Sequence, residues 1–360
     1  MEKAGITLFQ TMMIIMTASG LMNHVIVIPM LIEVSGRDSW ISVCLTCVAC
    51  LLWIPVIYFV MKKTNQQHIF EWLKQKHGRF FSIILLSISS LYLFLISSTT
   101  LKETVMWTKV SYLPATPVFV LALTFGLLCF YNSYCGINSI AITTGILLPI
   151  IVILGFFVAT ANIPNKDYAL LKPWLEYGFH PVIKGMMYVG SGMVELILLT
   201  FLQHHISSTV TFSSLVIITF VLAGLILGPT MAGIAEFGPY QSGFQRYPAF
   251  EEWRLVSIGR YIEHLDFLSI YQWLSGAFIR ISLASFLIID ILKISNKKKK
   301  IWVLILIYIA VVGFTVLPIS DMKFYMFLRD IFLPVSLGVM FIISFVLVGF
   351  AVFTGEKNRR

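Results

Sequence analysis

The chain is a succession of long apolar stretches parted by short polar ones, and a membrane-crossing helix needs about 20 mostly apolar residues. Ten candidate spans are read, at 6–34, 39–61, 80–101, 115–131, 138–161, 181–203, 209–233, 266–292, 301–319 and 331–353, the fourth being the shortest. The pattern predicts an all-α polytopic membrane protein with one transmembrane domain over 1–360. Ten spans divide as five plus five, giving repeat 1 over 6–161 and repeat 2 over 181–353. The first stretch is too long for a signal-peptide core and lacks a small-residue cleavage site, so it is expected to be retained. No large soluble domain is expected at either end.

Composition closes off the soluble alternative. The chain is 58% hydrophobic and 12% charged, where soluble domains are about a quarter charged. The net charge of +9 lies largely beside apolar segments, so it reports topology and gives no reason to expect a nucleic-acid partner. With a cytoplasmic N-terminus, fourteen basic residues fall inside (Lys3, the 2–3 loop, the 8–9 loop and the tail with Lys357, Arg359 and Arg360). Eleven fall outside, mostly in longer loops that count for less. Both termini are therefore expected in the cytoplasm, and the Lys297–Lys300 run anchors that face and touches anionic membrane lipid.

One stretch of the sixth span does not fit a plain membrane helix. Gly190-Ser191-Gly192 and Glu195 bring flexible backbone and a carboxylate into an apolar run, which hydrocarbon tolerates only where they are buried in protein or line a cavity. Unwinding at Gly190-Ser191-Gly192 is the expectation. In a 5+5 inverted repeat the matching span is the first, which carries Thr17-Ala18-Ser19-Gly20, then Asn23, His24 and Pro29. Gly20 and Gly192 are 172 residues apart, close to half of the 360. Paired interruptions point to a midplane site: freed N–H groups meet a carboxylate and freed carbonyls an ammonium, while glycine lets the backbone approach closely.

Two further charges lie deep. Arg280 is 14 residues from Asp266 and Glu195 is 14 from Pro181, or ~21 Å along a helix. Two readings stand side by side: a structural pair joining two helices, or an arginine that meets the ligand or substitutes for a bound cation. Ser97, Ser98, Thr99 and Thr100 in the third span exceed what back-bonding to their own helix requires. In the outer segment 238–265, Pro248 opens a helix whose Leu255, Ile258, Ile262 and Leu265 recur at helical spacing, with Arg254, Arg260 and Glu263 off the stripe. That helix is expected on the outer face of the bundle, as a cap or as a gating or partner-contact element.

Other chemistry is thin. Cys44, Cys47 and Cys50 echo an iron–sulfur spacing, but lack a fourth ligand and lie on one face of a span, as packing residues do. Cys129 and Cys135 suggest no disulfide framework. His204 and His205 have no acidic or cysteine neighbour in sequence, so no metal site is expected. No nucleophile–base pair or phosphate loop is present, so neither an enzyme nor a cofactor is expected.

The chain resembles the B subunits of bacterial spore germinant receptors, a branch of the amino acid/polyamine/organocation transporter superfamily. The resemblance rests on the interrupted first span up to Pro29, on Gly192-Met193-Val194-Glu195, and on Tyr247-Pro248 through Tyr261-Ile262-Glu263. Gln272-Trp273 running into Phe278-Ile279-Arg280-Ile281-Ser282 completes it. It implies a LeuT-like fold with an amino-acid-type pocket between spans 1, 3, 6 and 8. The positions it implies for the lining are Ser19, Gly20, Leu21, Ile96, Ser97, Thr100, Val189, Gly190, Ser191 and Arg280, and Gly192 joins them from the interruption itself. It also implies a germinant receptor A subunit and a lipoprotein C subunit as partners, in the spore inner membrane. Relatives sensing small neutral amino acids look uncharged near Arg280, so a cationic pocket here suits an acidic ligand or a charge already neutralised by Glu195. Nutrient sensing is the expected function, with an amino acid permease working by alternating access as the alternative and a structural scaffold as a third.

Overall fold

The computed structural model describes residues 5–259 and 261–357, the last four by backbone alone. Lys3, Arg260, Arg359 and Arg360 therefore lie outside the described residues, as does the side chain of Lys357. Among the described residues no strand forms, and two isolated bridges, Ile6–Ile206 and Ile258–Ile262, are the nearest approach to one. Nine helical stretches among them are long and apolar enough to cross a membrane. The first, Leu8–Lys63, would be about 84 Å long if straight. It turns back at Gly36, which adopts φ +52° and ψ −131°, so the described residues make ten crossings and match the ten expected.

The spans are α1 (8–35), α2 (Ser39–Lys63), α3 (Arg79–Ser111), α4 (Val118–Cys135), α5 (Ile137–Ala161), α6 (Phe179–His205), α7 (Phe212–Phe244), α8 (Leu265–Ile291), α9 (Lys297–Val316) and α10 (Asp321–Phe353). A short amphipathic helix, Ile69–His77, connects α2 to α3. Packing sorts most of the spans into two sets. In one, α1 and α2 lie against α6 and α7; in the other, α3 and α4 lie against α8 and α9. The first half of α1 crosses to α8 and α5, while its second half stays with α6 and α7. The centre is occupied by α6 and α8, each 83% buried along its most apolar stretch, against 22% for α5 and α9. Polar groups on α6 and α8 are thus enclosed by protein, the setting in which membrane charges survive.

Several boundaries depart from expectation for identifiable reasons. Helix α3 runs ten residues past its expected end because the charges there find partners inside the protein. Lys102 donates to the carbonyls of Thr315 (3.2 Å) and Leu317 (3.0 Å) at the end of α9, where a cation is favoured. Glu103 accepts from Arg246 at 2.7 Å. Helix α7 extends to Phe244, interrupted by Gly238 at φ +78°. The outer segment 238–265 is the clearest correction. Only Pro248–Arg254 of the expected helix forms; Leu255 onward is irregular, and Ile258 and Ile262 are exposed and pair across a tight turn. Gly259, at φ +65°, turns the chain there, so the apolar spacing does not become a helix face.

Candidate ligand site at the four-helix junction

Neither expected interruption is an unwound turn. The helix containing Gly190-Ser191-Gly192 continues to Met193, and only Val194–Ile197 tightens into 3-10 geometry before the α-helix Leu198–Leu202. In α1 the α-helix likewise runs through Ser19-Gly20 to Leu21, and Met22–Ile26 widens into a π segment. Both departures come within a turn or so of the glycines, and in neither does the backbone leave the helical region.

Just before the π segment the backbone bonding changes. The Met22 N–H donates to the Ser19 carbonyl, three residues back, and not to Ala18, four back. The Ala18 carbonyl instead accepts from Arg280 Nη1 at 3.0 Å. Arg280 also donates from Nε to Thr100 Oγ1 (3.0 Å), and to Glu195 from Nη1 (2.6 Å) and Nη2 (2.5 Å). One side chain on α8 therefore touches α1, α3 and α6, using four of the five N–H donors of a guanidinium. Arg280 is 2% exposed and Glu195 1%. Removing two such charges from water costs several kcal/mol each, so a dry pair needs this near-complete bonding to hold. The freed carbonyl expected for an ammonium group thus serves the arginine.

The remaining expected positions divide. Leu21 packs against α8, where a Cβ at Gly276 would lie 3.2 Å from it. Ser97 pairs with Ser285 of α8 at 3.3 Å, and Ile96 and Val189 are fully buried. Ser191 donates to the Tyr188 carbonyl of its own helix at 2.6 Å. Gly190 faces α10, where a Cβ would lie 3.3 Å from Leu337, and Gly20 faces Leu225 of α7, where it would lie 3.2 Å away. Gly192 is the tightest contact with α1: a Cβ there would sit 1.8 Å from Asn23 Oδ1. Of the hydroxyl run in α3, Thr99 bonds back to Leu95 (2.7 Å) and Thr100 holds Arg280.

Beside the satisfied ion pair lie unsatisfied groups. Ser19 Oγ and both polar atoms of the Asn23 amide are buried without a hydrogen bond. The two residues are four apart on α1, so they stack on one face. Orphaned buried polar atoms cost about 1–3 kcal/mol each and mark places where a polar partner is accommodated. Seven residues before Arg280, or about 10 Å along α8, Trp273 stacks on Trp107 of α3 (4.2 Å between centroids, 5° between planes) with Tyr247 edge-on at 5.4 Å. These rings close the junction from the end where α1 and α3 finish. A cavity of about 380 Å³ lies at the opposite end, lined by Tyr58, Lys62, Asn65, Gln66 and 206–210, away from Arg280.

Sequence reasoning missed two charged groupings. On the Trp107 side, Arg246 joins Glu103 to Asp321 (3.2 Å) and stacks on Tyr247 (4.6 Å). Burial favours its neutral form, yet the Glu103 carboxylate and its neighbours hold its pKa above the ordinary value. At the opposite end, His204 and His205 do have an acidic neighbour: Asp290 of α8 lies 3.0 Å and 2.9 Å from their Nε2 atoms. The signal for the first was Lys102-Glu103 closing an apolar stretch. The second joins residues 85 apart or more and has no local signature.

Known proteins resemble this chain over most of its length. The family described as Spore germination protein matches residues 5–323. The chain is 50% identical to spore germination protein XB of Bacillus anthracis over 354 residues, 98% of this chain and 99% of that one. It is 24% identical over 263 residues to putative spore germination protein YfkT of Bacillus subtilis (strain 168), 72% of each chain. In fold it is similar to Mhp1, a nucleobase-cation-symport-1 family transporter solved in a closed conformation with bromovinylhydantoin bound. The TM-score is 0.56 at 11% identity, covering 96% of this chain and 93% of that one. At that identity the likeness speaks for fold alone, and the LeuT-like, all-helical architecture expected from the sequence is borne out.

Proposed function

The chain belongs to the spore germination protein family, and from that premise we propose that it is the nutrient-sensing membrane subunit of a germinant receptor. It is a multi-pass, permease-like membrane protein. In this reading an amino-acid-type germinant binds at the junction of α1, α3, α6 and α8, and binding shifts the two helix sets between two arrangements. A and C subunits convert the shift into germination at the spore inner membrane, with both termini cytoplasmic. The lining in this reading centres on Ser19, Asn23, Ser97, Thr100 and Arg280, with Gly20 and Gly190, which face α7 and α10, contributing backbone only. For the site to act as a switch, ligand must favour one arrangement, and about 1–3 kcal/mol of coupling is typical.

The observation that carries the reading is the juxtaposition of a neutralised, four-helix ion pair with the orphaned Ser19 hydroxyl and Asn23 amide. The Ala18 carbonyl bonded to Arg280 supports the arginine as a resident cation, standing where a transporter of this architecture could hold an ion. Glu195 already balances it, which supports a ligand without net charge over an acidic one. An amino acid permease working by alternating access at the same site is the second reading, which a permease-like fold equally accommodates.

A screen of nutrients against spores lacking this gene, with binding and flux measured on purified protein in proteoliposomes, tests both. Loss of response to one nutrient class, with saturable binding and no flux, is the expected result. An unchanged response to every nutrient overturns sensing; catalytic flux without partners replaces it with a permease.

A further inference from the structure

At the end of the bundle carrying the Ile69–His77 connection, three elements distant in sequence meet through ligand-type side chains. His68 comes from the loop after α2, His204 from the end of α6 and Asp290 from the end of α8. One ligand atom from each lies within 4.8 Å of the others. The rings of His68 and His204 are 4.6 Å apart between centroids. We propose that His68, His204 and Asp290 bind a divalent transition-metal ion of the zinc type, with a solvent molecule as the fourth ligand.

Three features support a metal over a hydrogen-bonded cluster. First, the bonding leaves suitable atoms available. His68 Nδ1 and Asp290 Oδ2 are buried without a hydrogen bond, and His204 presents Nε2 to Oδ2 at 3.0 Å. Second, the spacing suits the ion. Ligands about 2.0–2.1 Å from a tetrahedral centre stand about 3.3 Å apart, so the His204–Asp290 approach matches one edge after a shift of a few tenths of an ångström. Third, an outer layer is already in place. His68 Nε2 is 3.2 Å from the Asp290 backbone carbonyl; an N–H donated there leaves Nδ1 as the lone-pair nitrogen, the arrangement that fixes tautomers in metal sites. His205 Nε2 donates to Asp290 Oδ1 at 2.9 Å, steadying the carboxylate through its other oxygen.

The donor set of two imidazoles and one carboxylate suits zinc and its first-row neighbours and gives hard magnesium or calcium little to hold. Its placement gives the ion a mechanical consequence. Helix α6 belongs to the set with α1, α2 and α7, and α8 to the set with α3, α4 and α9. A metal bridging His204 and Asp290 would add to the His205–Asp290 bond in tying the two sets together at this end, so its loss would loosen that tie.

The test uses the full chain in lipid nanodiscs, titrated with Co²⁺ as a spectroscopic probe for the site. The expected result is ligand-field absorption in the visible that saturates at one ion per chain and is displaced by Zn²⁺. It disappears in His68→Ala and in His204→Ala, and the exposed control His180→Ala leaves it unchanged. His205→Ala, which loses only the bond to the far oxygen, binds about 10–100-fold more weakly. Absence of saturable Co²⁺ binding by the unaltered chain overturns the site, as does unchanged binding in both His68→Ala and His204→Ala. If either alanine variant does not fold, the shape-preserving Asp290→Asn decides in its place: retained binding overturns the assignment and loss supports it.

Discussion

Helices α1 and α6, the two spans expected to correspond in a five-plus-five repeat, depart from α geometry in opposite ways. Helix α1 loosens into a π segment at Met22–Ile26, and α6 tightens into 3-10 at Val194–Ile197. At the entry to the loosened segment Met22 bonds Ser19, the Ala18 carbonyl accepts from Arg280, and the Ser19 hydroxyl and Asn23 amide lack partners. The tightened one carries Glu195, whose two oxygens are both held by Arg280. The α6 side of the junction is electrostatically complete, and the α1 side is short of hydrogen bonds. On the proposed reading a ligand adds most where bonds are lacking, which assigns recognition chiefly to α1 and mechanical integrity to the α6–α8 pair.

The largest expected effect breaks the complete side. Glu195→Ala leaves Arg280 uncompensated in a dry setting and should destabilise the protein by about 3–5 kcal/mol, read as a lowered unfolding midpoint in detergent. Glu195→Leu with Arg280→Met together should recover most of the loss, because an apolar pair of similar volume replaces a buried ion pair at little cost. A single variant as stable as the double would remove the distinction drawn between the two helices.

Next comes the contact between them. Gly192→Ala drives a methyl into Asn23 Oδ1 and should cost about 1–3 kcal/mol as overpacking. Asn23→Ala in the same chain should relieve it, and thermal unfolding of the two single variants and the double forms the cycle that checks this. Within α3, Thr100→Val removes a bond to a charged donor and should cost about 1.5–3 kcal/mol, while Thr99→Val, whose hydroxyl bonds only its own helix, should cost less than about 1 kcal/mol. Equal effects would mean that Arg280 does not depend on α3. The smallest change in stability, and the sharpest for function, is Asn23→Leu. It replaces an orphaned amide with a shape-matched apolar group, so stability should hold or rise by about 1 kcal/mol while nutrient response is lost in spores. A stable variant with intact response would move recognition away from α1.

What the sequence determined by itself follows from the membrane as solvent. Hydrocarbon demands internally bonded backbone, so apolar run lengths alone located ten helices to within a few residues in most cases. Arg280 and Glu195 stood out because charge in such runs is costly enough to need a partner. The glycines and serines marked the right two helices for a related reason, since flexible, polar backbone is out of place in lipid. What they could not tell was the form of the irregularity. Whether a helix unwinds, widens or tightens is set by neighbours: Arg280 draws on Ala18, and Asn23 presses on Gly192. Helix ends beyond the apolar runs were likewise decided by distant partners, as Lys102 on α9 carbonyls lengthened α3. The helix expected from Pro248 stopped at Arg254 because apolar spacing has no effect until a surface exists to bury it. The His68–His204–Asp290 grouping was out of reach altogether, because each residue is ordinary in its own segment and only the docking of α6 and α8 at one end makes them neighbours.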